Sequence, residues 1–249
     1  MTPEILPTTY VNWLVVASFV VSALGAYVAL TAARFMRDRR GRVSRLNALL
    51  AGVALGGVGI WSMHFLGMLA WDAGLALGYR LGETLLSLLI AVGVSALALG
   101  YMAAGSFTAR RVLVAGPLAG LGVAAMHFIG MASVRFGGFL QWDAGLVALA
   151  VGIAVVAATA ALWLAFGPGQ RIPRTASALV MAAAVCTMHY TGMAAADVVC
   201  TTADRAAKIP GLLYGDELAM LVVAVALSAA VVIAADLMVQ RFTRAAAVR

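Results

Sequence analysis

The chain has 249 residues, of which 64% are hydrophobic and 11% are charged. Since soluble domains usually carry about 25% charged residues, this composition excludes an ordinary soluble protein and predicts an integral membrane protein. The formal charge of +7 does not indicate a nucleic-acid partner, because the cations cluster between apolar runs, where they report membrane orientation and contact with anionic lipid.

Seven apolar runs, each about 20 residues long and so able to span a bilayer, predict an all-α fold of seven transmembrane helices. The runs cover residues 11–33, 46–70, 83–104, 112–132, 143–166, 176–196 and 217–239. Most arginines fall in the connections on one side of these helices, at 34–45, 105–111, 167–175 and after 239. The positive-inside rule therefore predicts that the N-terminus is outside and the C-terminus is cytoplasmic.

The pattern Met-His-x-x-Gly-Met occurs three times at nearly equal spacing and contains every histidine of the chain. The copies are residues 63–68, 126–131 and 188–193. This spacing marks an internal repeat, and we predict a single domain, 1–249, of three helix pairs plus a seventh helix, 217–239, without the motif. The helix pairs cover about 11–70, 83–132 and 143–196. Each motif then lies near the outer end of an even-numbered helix.

Each copy presents an imidazole and a thioether on one helix face, because residues four apart lie one turn from each other. The pairs are His64 with Met68, His127 with Met131 and His189 with Met193. Neutral nitrogen and thioether ligands suit copper, especially Cu(I). A monovalent ion is also easier than a divalent one to hold without counter-charge in a membrane. The pattern therefore predicts a shared metal site among three helices.

Residues beside these pairs supply further candidates. The first methionine of each copy faces about 100° away from its histidine and is an additional candidate ligand, at Met63, Met126 and Met188. Cys186 lies three residues before His189 and offers a thiolate in one helix only. Small residues recur at fixed offsets from the histidines and predict close helix packing, at Gly57, Gly67, Gly120, Gly130 and Gly192.

Three such motifs on alternate helices, the last reading Met188-His189-Tyr190-Thr191-Gly192-Met193, resemble the MHYT family of bacterial integral membrane sensor domains. The resemblance covers essentially the whole chain. It implies a seven-helix sensor in the bacterial cytoplasmic membrane that binds copper and responds to a diatomic gas such as oxygen, carbon monoxide or nitric oxide. The ligands that it implies, with cysteine as a further candidate, are Met63, His64, Met68, Met126, His127, Met131, Met188, His189 and Met193.

Many members of that family carry modules that make or degrade cyclic di-GMP. No such module follows the seventh predicted helix here, so the expected form is a stand-alone sensor that is not an enzyme and that signals through a separate cytoplasmic protein. The sequence makes no prediction of its oligomeric state.

Three other functions stay open. A copper transporter, or a factor that delivers copper to a membrane enzyme, would use the same ligands, although Met181 is the only deeper candidate on the motif helices. A haem protein fits less well, because three equivalent histidines do not make an axial pair and the chain has no Cys-x-x-Cys-His motif. The motifs are also consistent with helix packing alone, which predicts that replacing all three histidines has no functional effect.

Overall fold

Seven long helices confirm the predicted all-α membrane fold. The computed structural model describes residues 2–33, 36, 42–167 and 172–246. Its helices are α1 Asn12–Ala33, α2 Arg45–Ala70, α3 Leu81–Ala103, α4 Ala109–Ala132, α5 Ala144–Phe166, α6 Arg174–Ala194 and α7 Gly215–Ala246. Each is long and apolar enough to cross a membrane, and each begins within one turn of its predicted start. The chain is therefore a multi-pass membrane protein.

Short polar side chains mark where several helices begin. The hydroxyl of Ser44 accepts a hydrogen bond from the backbone N–H of Asn47 at the start of α2. The carboxylate of Asp143 accepts from the N–H of Leu146 at 2.8 Å at the start of α5. Such caps satisfy backbone donors that have no partner within the helix, so the helix starts follow from local chemistry as well as from hydropathy.

Six of the helices form a closed ring. Each of α1 to α5 packs against the next helix in the chain, and α6 packs back against α1. The motif helices α2, α4 and α6 alternate with α1, α3 and α5 around this ring, and they also contact one another. The seventh helix packs on the outside of α2. As a result α2 is the most enclosed helix, with 72% of an 18-residue apolar stretch of it buried.

In the part of the chain that the structure describes, seven short strands cover the end of the bundle where the motif helices finish, and we call these strands the cap. They are β1 Glu4–Leu6, β2 Thr9–Tyr10, β3 Trp71–Asp72, β4 Gly78–Tyr79, β5 Val134–Arg135, β6 Gly138–Trp142 and β7 Ala196–Cys200. An antiparallel sheet has the order β1-β7-β6, and two further pairs join β2 to β3 and β4 to β5. The helix-based prediction left these segments as connections.

The middle of α2 differs from the other motif helices. Residues Val53–Ser62 form a π-helix, and the Ser62 hydroxyl donates a hydrogen bond to the carbonyl of Gly57 at 3.0 Å. The corresponding stretches of α4 and α6 are α-helical. Because a π-helix has a wider turn than an α-helix, it changes which residues face a neighbouring helix.

The closest contact of α2 with α3 lies beside the predicted packing residue Gly57. A Cβ on Gly57 would lie 3.6 Å from Val92 and 3.9 Å from Leu88, which are ordinary contacts with α3, whereas a Cβ on Gly56 would overlap the backbone of Ala91. Gly57 therefore faces α3, and the closest approach of the two backbones is one residue earlier, at Gly56. In the α-helical second repeat Gly120 does pack closely, since its Cβ would lie 2.5 Å from Val155.

Candidate metal centre

The three motif histidines meet at one point inside the bundle. The Nδ1 atom of His64 lies 3.0 Å from that of His189 and 3.2 Å from that of His127, and the last two Nδ1 atoms are 3.3 Å apart. All three side chains are fully buried. Residues more than 60 positions apart therefore form a nearly equilateral triangle of nitrogen atoms.

Hydrogen bonds cannot form along all three sides of this triangle at the same time. A hydrogen bond needs one donor and one acceptor, and each imidazole nitrogen is either one or the other at a given moment. Around a ring of three atoms at least one neighbouring pair must therefore be two donors or two acceptors. A cation among the three Nδ1 atoms removes this conflict, because it receives all three lone pairs at once.

The size of the triangle also fits a metal ion. The centre of a triangle with these sides lies about 1.8 Å from each corner, slightly less than the roughly 2.0 Å of a bond between a metal and an imidazole nitrogen. The three Nδ1 atoms could therefore hold a metal ion. Among the described residues, the His, Cys, Asp and Glu side chains that converge in this way are His64, His127 and His189, so the ligand set there is neutral.

Each motif glycine packs against a histidine of another motif helix, and we call this contact the seat of that histidine. A Cβ on Gly67 would overlap Nε2 of His189, one on Gly130 would overlap Nε2 of His64, and one on Gly192 would overlap Nε2 of His127. Each imidazole therefore rests against the glycine backbone of another motif helix, in a cycle around the three helices. The Nε2 atoms have no hydrogen-bond partner among the described residues, and they carry the ring protons when Nδ1 binds an ion.

An aromatic ring follows each histidine and packs against its imidazole. Phe65, Phe128 and Tyr190 meet the preceding imidazole edge-on, with ring centroids 4.7, 4.8 and 4.7 Å apart. Trp61 packs 4.8 Å from Phe65, and its indole N–H donates to the carbonyl of Thr84 at 3.1 Å. Rigid rings on three sides hold the imidazoles in place and keep the surroundings apolar.

Two tyrosines connect the site to the cap. The hydroxyls of Tyr190 and Ser18 are 3.0 Å apart, and the ring of Tyr10 meets that of Tyr190 edge-on at 5.6 Å. Burial and the neighbouring Tyr190 raise the pKa of Tyr10 to about 12, so its hydroxyl stays neutral at physiological pH. This side of the centre therefore adds no negative charge near the imidazoles.

The candidate thioether ligands are buried close to the cap. Met68, Met131 and Met193 belong to one hydrophobic cluster together with Met126 and Phe65. This cluster also contains residues of the cap strands, among them Leu6, Trp71 and Val198. The second methionine of each motif thus packs between the helices and the cap, and its ligation of a metal stays a prediction.

The other predicted metal ligands lie in different surroundings from these three methionines. Met63 is buried with 1% of its side chain exposed, and Met188 packs with Ala124 and Ala154 in a separate cluster. Cys186 is a buried free thiol and is not a member of the converging group. The structure therefore brings together the three predicted histidines and does not bring the predicted cysteine to them.

The sequence prediction missed the parts of the site that lie outside the motif. Cap residues such as Leu6 and Val198 cover the centre from strands two to five residues long, too short for a periodic pattern to reveal. The seating role of the glycines was also missed, because it depends on which helix lies opposite. The fixed spacing of three residues between each histidine and its glycine was the available signal.

Comparison with known proteins agrees with this architecture. The model of the MHYT family, described as a bacterial signalling protein N terminal repeat, matches residues 57–115 and 120–178. These segments contain the first and second motifs, and the third motif follows them. No solved structure matches the chain.

Several curated relatives are signalling proteins. The bifunctional diguanylate cyclase/cyclic di-GMP phosphodiesterase MucR of Pseudomonas aeruginosa is 44% identical over 196 residues, which cover 77% of this chain and 28% of that protein. The cyclic di-GMP phosphodiesterase NbdA of the same organism is 40% identical over 75% of this chain and 24% of its own length. The signaling protein YkoW of Bacillus subtilis is 27% identical over 76% and 24%.

The chain thus spans about a quarter of the length of these relatives. The matched region of 195 or 196 residues makes up about three quarters of this chain, while most of each relative lies outside the match. With its repeated family match, its motif histidines and its membrane helices, this chain belongs to the MHYT family of bacterial signalling-protein domains.

Proposed function

We propose that the chain is a membrane sensor whose signal is read at a copper ion held by His64, His127 and His189. The observation that carries this proposal is the triangle of Nδ1 atoms with sides of 3.0 to 3.3 Å. A cation would satisfy all three nitrogen atoms at once, and the burial of the triangle excludes a role at the surface. Membership in a family of signalling proteins supports a sensor.

The neutral surroundings favour copper over other imidazole-binding metals. The converging group contains no carboxylate or thiolate among the described residues, so the charge of a bound ion stays uncompensated. A monovalent ion is less costly to hold under these conditions, and Cu(I) prefers neutral nitrogen and thioether ligands. Met68, Met131 and Met193 are the proposed additional ligands.

Residues of this chain bind the ion, surround it and link it to the helices. Three imidazoles supply the ligand atoms, and three aromatic rings pack beside the imidazoles. Bound copper would supply a centre that takes up a diatomic gas such as oxygen, carbon monoxide or nitric oxide, or that changes oxidation state. Because each imidazole rests on a glycine of another motif helix, a shift of one ring displaces the next helix, and the helices respond together. Signalling then needs two helix arrangements that differ in ligand affinity.

We further propose the bacterial cytoplasmic membrane as the location, with the cap outside. The relatives named for cyclic di-GMP turnover support an output on that second messenger, through a cytoplasmic enzyme that senses the helix shift. We also propose that the internal repeat follows the helix pairs at 11–70, 83–132 and 143–196, with 217–239 added outside it, all within the single domain 1–249.

Copper transport is the weaker alternative. A transporter needs further ligands along a path from one side of the membrane to the other. Among the described residues, the cavity beneath the imidazoles is lined by apolar side chains together with Ser95 and the sulfur-containing Met181 and Met188. Met36 and Met102 are buried in a separate cluster with Leu99 and Leu162. Because most of the cavity lining is hydrocarbon, which does not bind a metal ion, we favour a sensor over a transporter or a delivery factor.

Exposure of the copper-loaded, reduced protein to carbon monoxide tests the proposed function. We expect a saturable infrared band of metal-bound carbon monoxide, at about one molecule per chain, together with a change in the protease sensitivity of the loops opposite the cap. The matched control is the protein with all three histidines replaced by alanine, which should show neither change. A loaded protein that binds no gas and does not change shape would contradict the sensor function.

A further inference from the structure

An apolar cavity lies on the axis of the helix ring. It has a volume of about 70 Å³ and is lined by residues of all six ring helices, and the described residues of α7 do not contribute to it. Its position on the axis distinguishes it from the grooves between neighbouring helices, which face lipid. The cavity is thus a feature of the whole ring.

The upper end of the cavity lies directly beneath the imidazoles. Ile60, Val123 and Val185 line it, and each stands four residues before a motif histidine. Residues four apart in a helix lie one turn above each other, although the π-helix around Ile60 loosens this relation in α2. These three side chains therefore form a thin apolar layer between the cavity and the triangle of nitrogen atoms.

The lower end reaches towards the side of the bundle opposite the cap. Leu30, Leu99 and Leu162 line the cavity there, and each lies within about one turn of the end of α1, α3 or α5. Along α5 the lining runs from Ala154 to Ala165, about 16 Å at a rise of about 1.5 Å per residue. The space is long and narrow, with the histidines at one end.

The lining determines which molecule can enter. A buried water needs two to four polar partners. Among the described residues that line the cavity, Ser95 is the one with a polar side chain, so the cavity is expected to stay dry. A volume of about 70 Å³ exceeds the roughly 30 Å³ share of one water and is below the roughly 150 Å³ of an engineered cavity that binds benzene or xenon. A small apolar molecule fits, whereas a lipid or a quinone is too large.

We propose that this cavity is a docking site for an apolar diatomic gas, one helical turn beneath the imidazole triangle. Alanines make up much of the lining, for example Ala119, Ala154 and Ala158. Larger apolar residues at these positions would fill the space and improve packing, so the small side chains leave room that packing alone does not need. A gas held there would reach the metal after a shift of Ile60, Val123 or Val185. The link to sensing rests on the proposed function, whereas docking itself does not need the metal.

Xenon binding to the metal-free protein tests the docking site. We expect saturable binding to the unmodified chain in xenon NMR, with loss of that binding in Ala158→Leu, which places a larger side chain in the cavity. The matched control is Ala160→Leu on the lipid-facing side of the same helix, where the residue is exposed, and it should bind xenon normally. If Ala158→Leu does not fold, Ala158→Val adds less volume and should weaken binding at least severalfold.

The two proposals fail in different ways. Absence of saturable xenon binding, or equal binding by Ala158→Leu and Ala160→Leu, would overturn the docking site whatever the metal content. In copper-loaded protein we expect Ala158→Leu to slow carbon monoxide association about tenfold or more at unchanged copper content, and an unchanged rate would overturn the link between cavity and metal. A chain that binds xenon in the cavity but takes up no copper would retain the docking site and lose the proposed function.

Discussion

Replacing Gly67 by alanine is expected to abolish tight metal binding while the seven helices stay folded. A Cβ at this position would overlap Nε2 of His189, so the imidazole must leave its seat and its Nδ1 atom must leave the triangle. Changing the residues that orient a ligating histidine typically costs about 10- to 100-fold in metal affinity. Because Gly67→Ala displaces the ligand itself, we expect the upper end of that range, about 100-fold or more.

A competition titration of Cu(I) against a coloured chelator measures this effect. Gly130→Ala and Gly192→Ala should behave like Gly67→Ala, since they seat the other two histidines. The matched controls are Gly93→Ala in α3 and Gly152→Ala in α5, where a Cβ meets no atom within 4 Å. Equal copper affinities of Gly67→Ala and Gly152→Ala would contradict the seating role of the motif glycine.

Removing one imidazole is expected to separate metal binding from folding. In His127→Ala the Nδ1 atoms of His64 and His189 remain 3.0 Å apart, and these two can pair as donor and acceptor. The metal-free variant should therefore stay folded, with an unfolding temperature lowered by the cavity that replaces the buried ring. Its stabilisation by copper should disappear, which for a ligand at 100 times its Kd amounts to about 2.7 kcal/mol.

Thermal unfolding in detergent with and without Cu(I) measures both effects. His64→Ala and His189→Ala should give the same result, because the triangle is nearly symmetric. Thr187→Ala is the matched control on the exposed face of α6, and it should keep the full rise in unfolding temperature with copper. A single-histidine variant that copper still stabilises fully would show that this imidazole is not a ligand.

Most of the fold could be predicted from hydropathy, because each helix must satisfy its own backbone hydrogen bonds within the membrane. Seven apolar runs therefore translated directly into α1 to α7, with Asp143 capping α5 at its predicted start. The cap strands were not predictable in the same way. A strand such as Trp71–Asp72 has two residues and exists through its pairing with Thr9–Tyr10, about sixty positions away.

The histidine cluster was predictable and its geometry was not. Equal spacing on alternate helices implies equal depth, which led to the expectation that His64, His127 and His189 share a site. The contact of each imidazole with a glycine of another helix depends on the relative rotation of the helices, which one sequence does not contain. The closest approach of α2 to α3 at Gly56 was not predictable for the same reason, since it depends on how the π-helix in α2 is rotated against α3.

X-ray absorption at the copper edge shows whether the three imidazoles bind the metal. In protein loaded with one Cu(I) per chain, we expect three nitrogen scatterers at about 2.0 Å with the outer-shell features of imidazole, and sulfur from a motif methionine is the proposed addition. A shell made of sulfur alone, or an imidazole signal that persists when His64, His127 and His189 are all replaced by alanine, would contradict metal binding by these imidazoles.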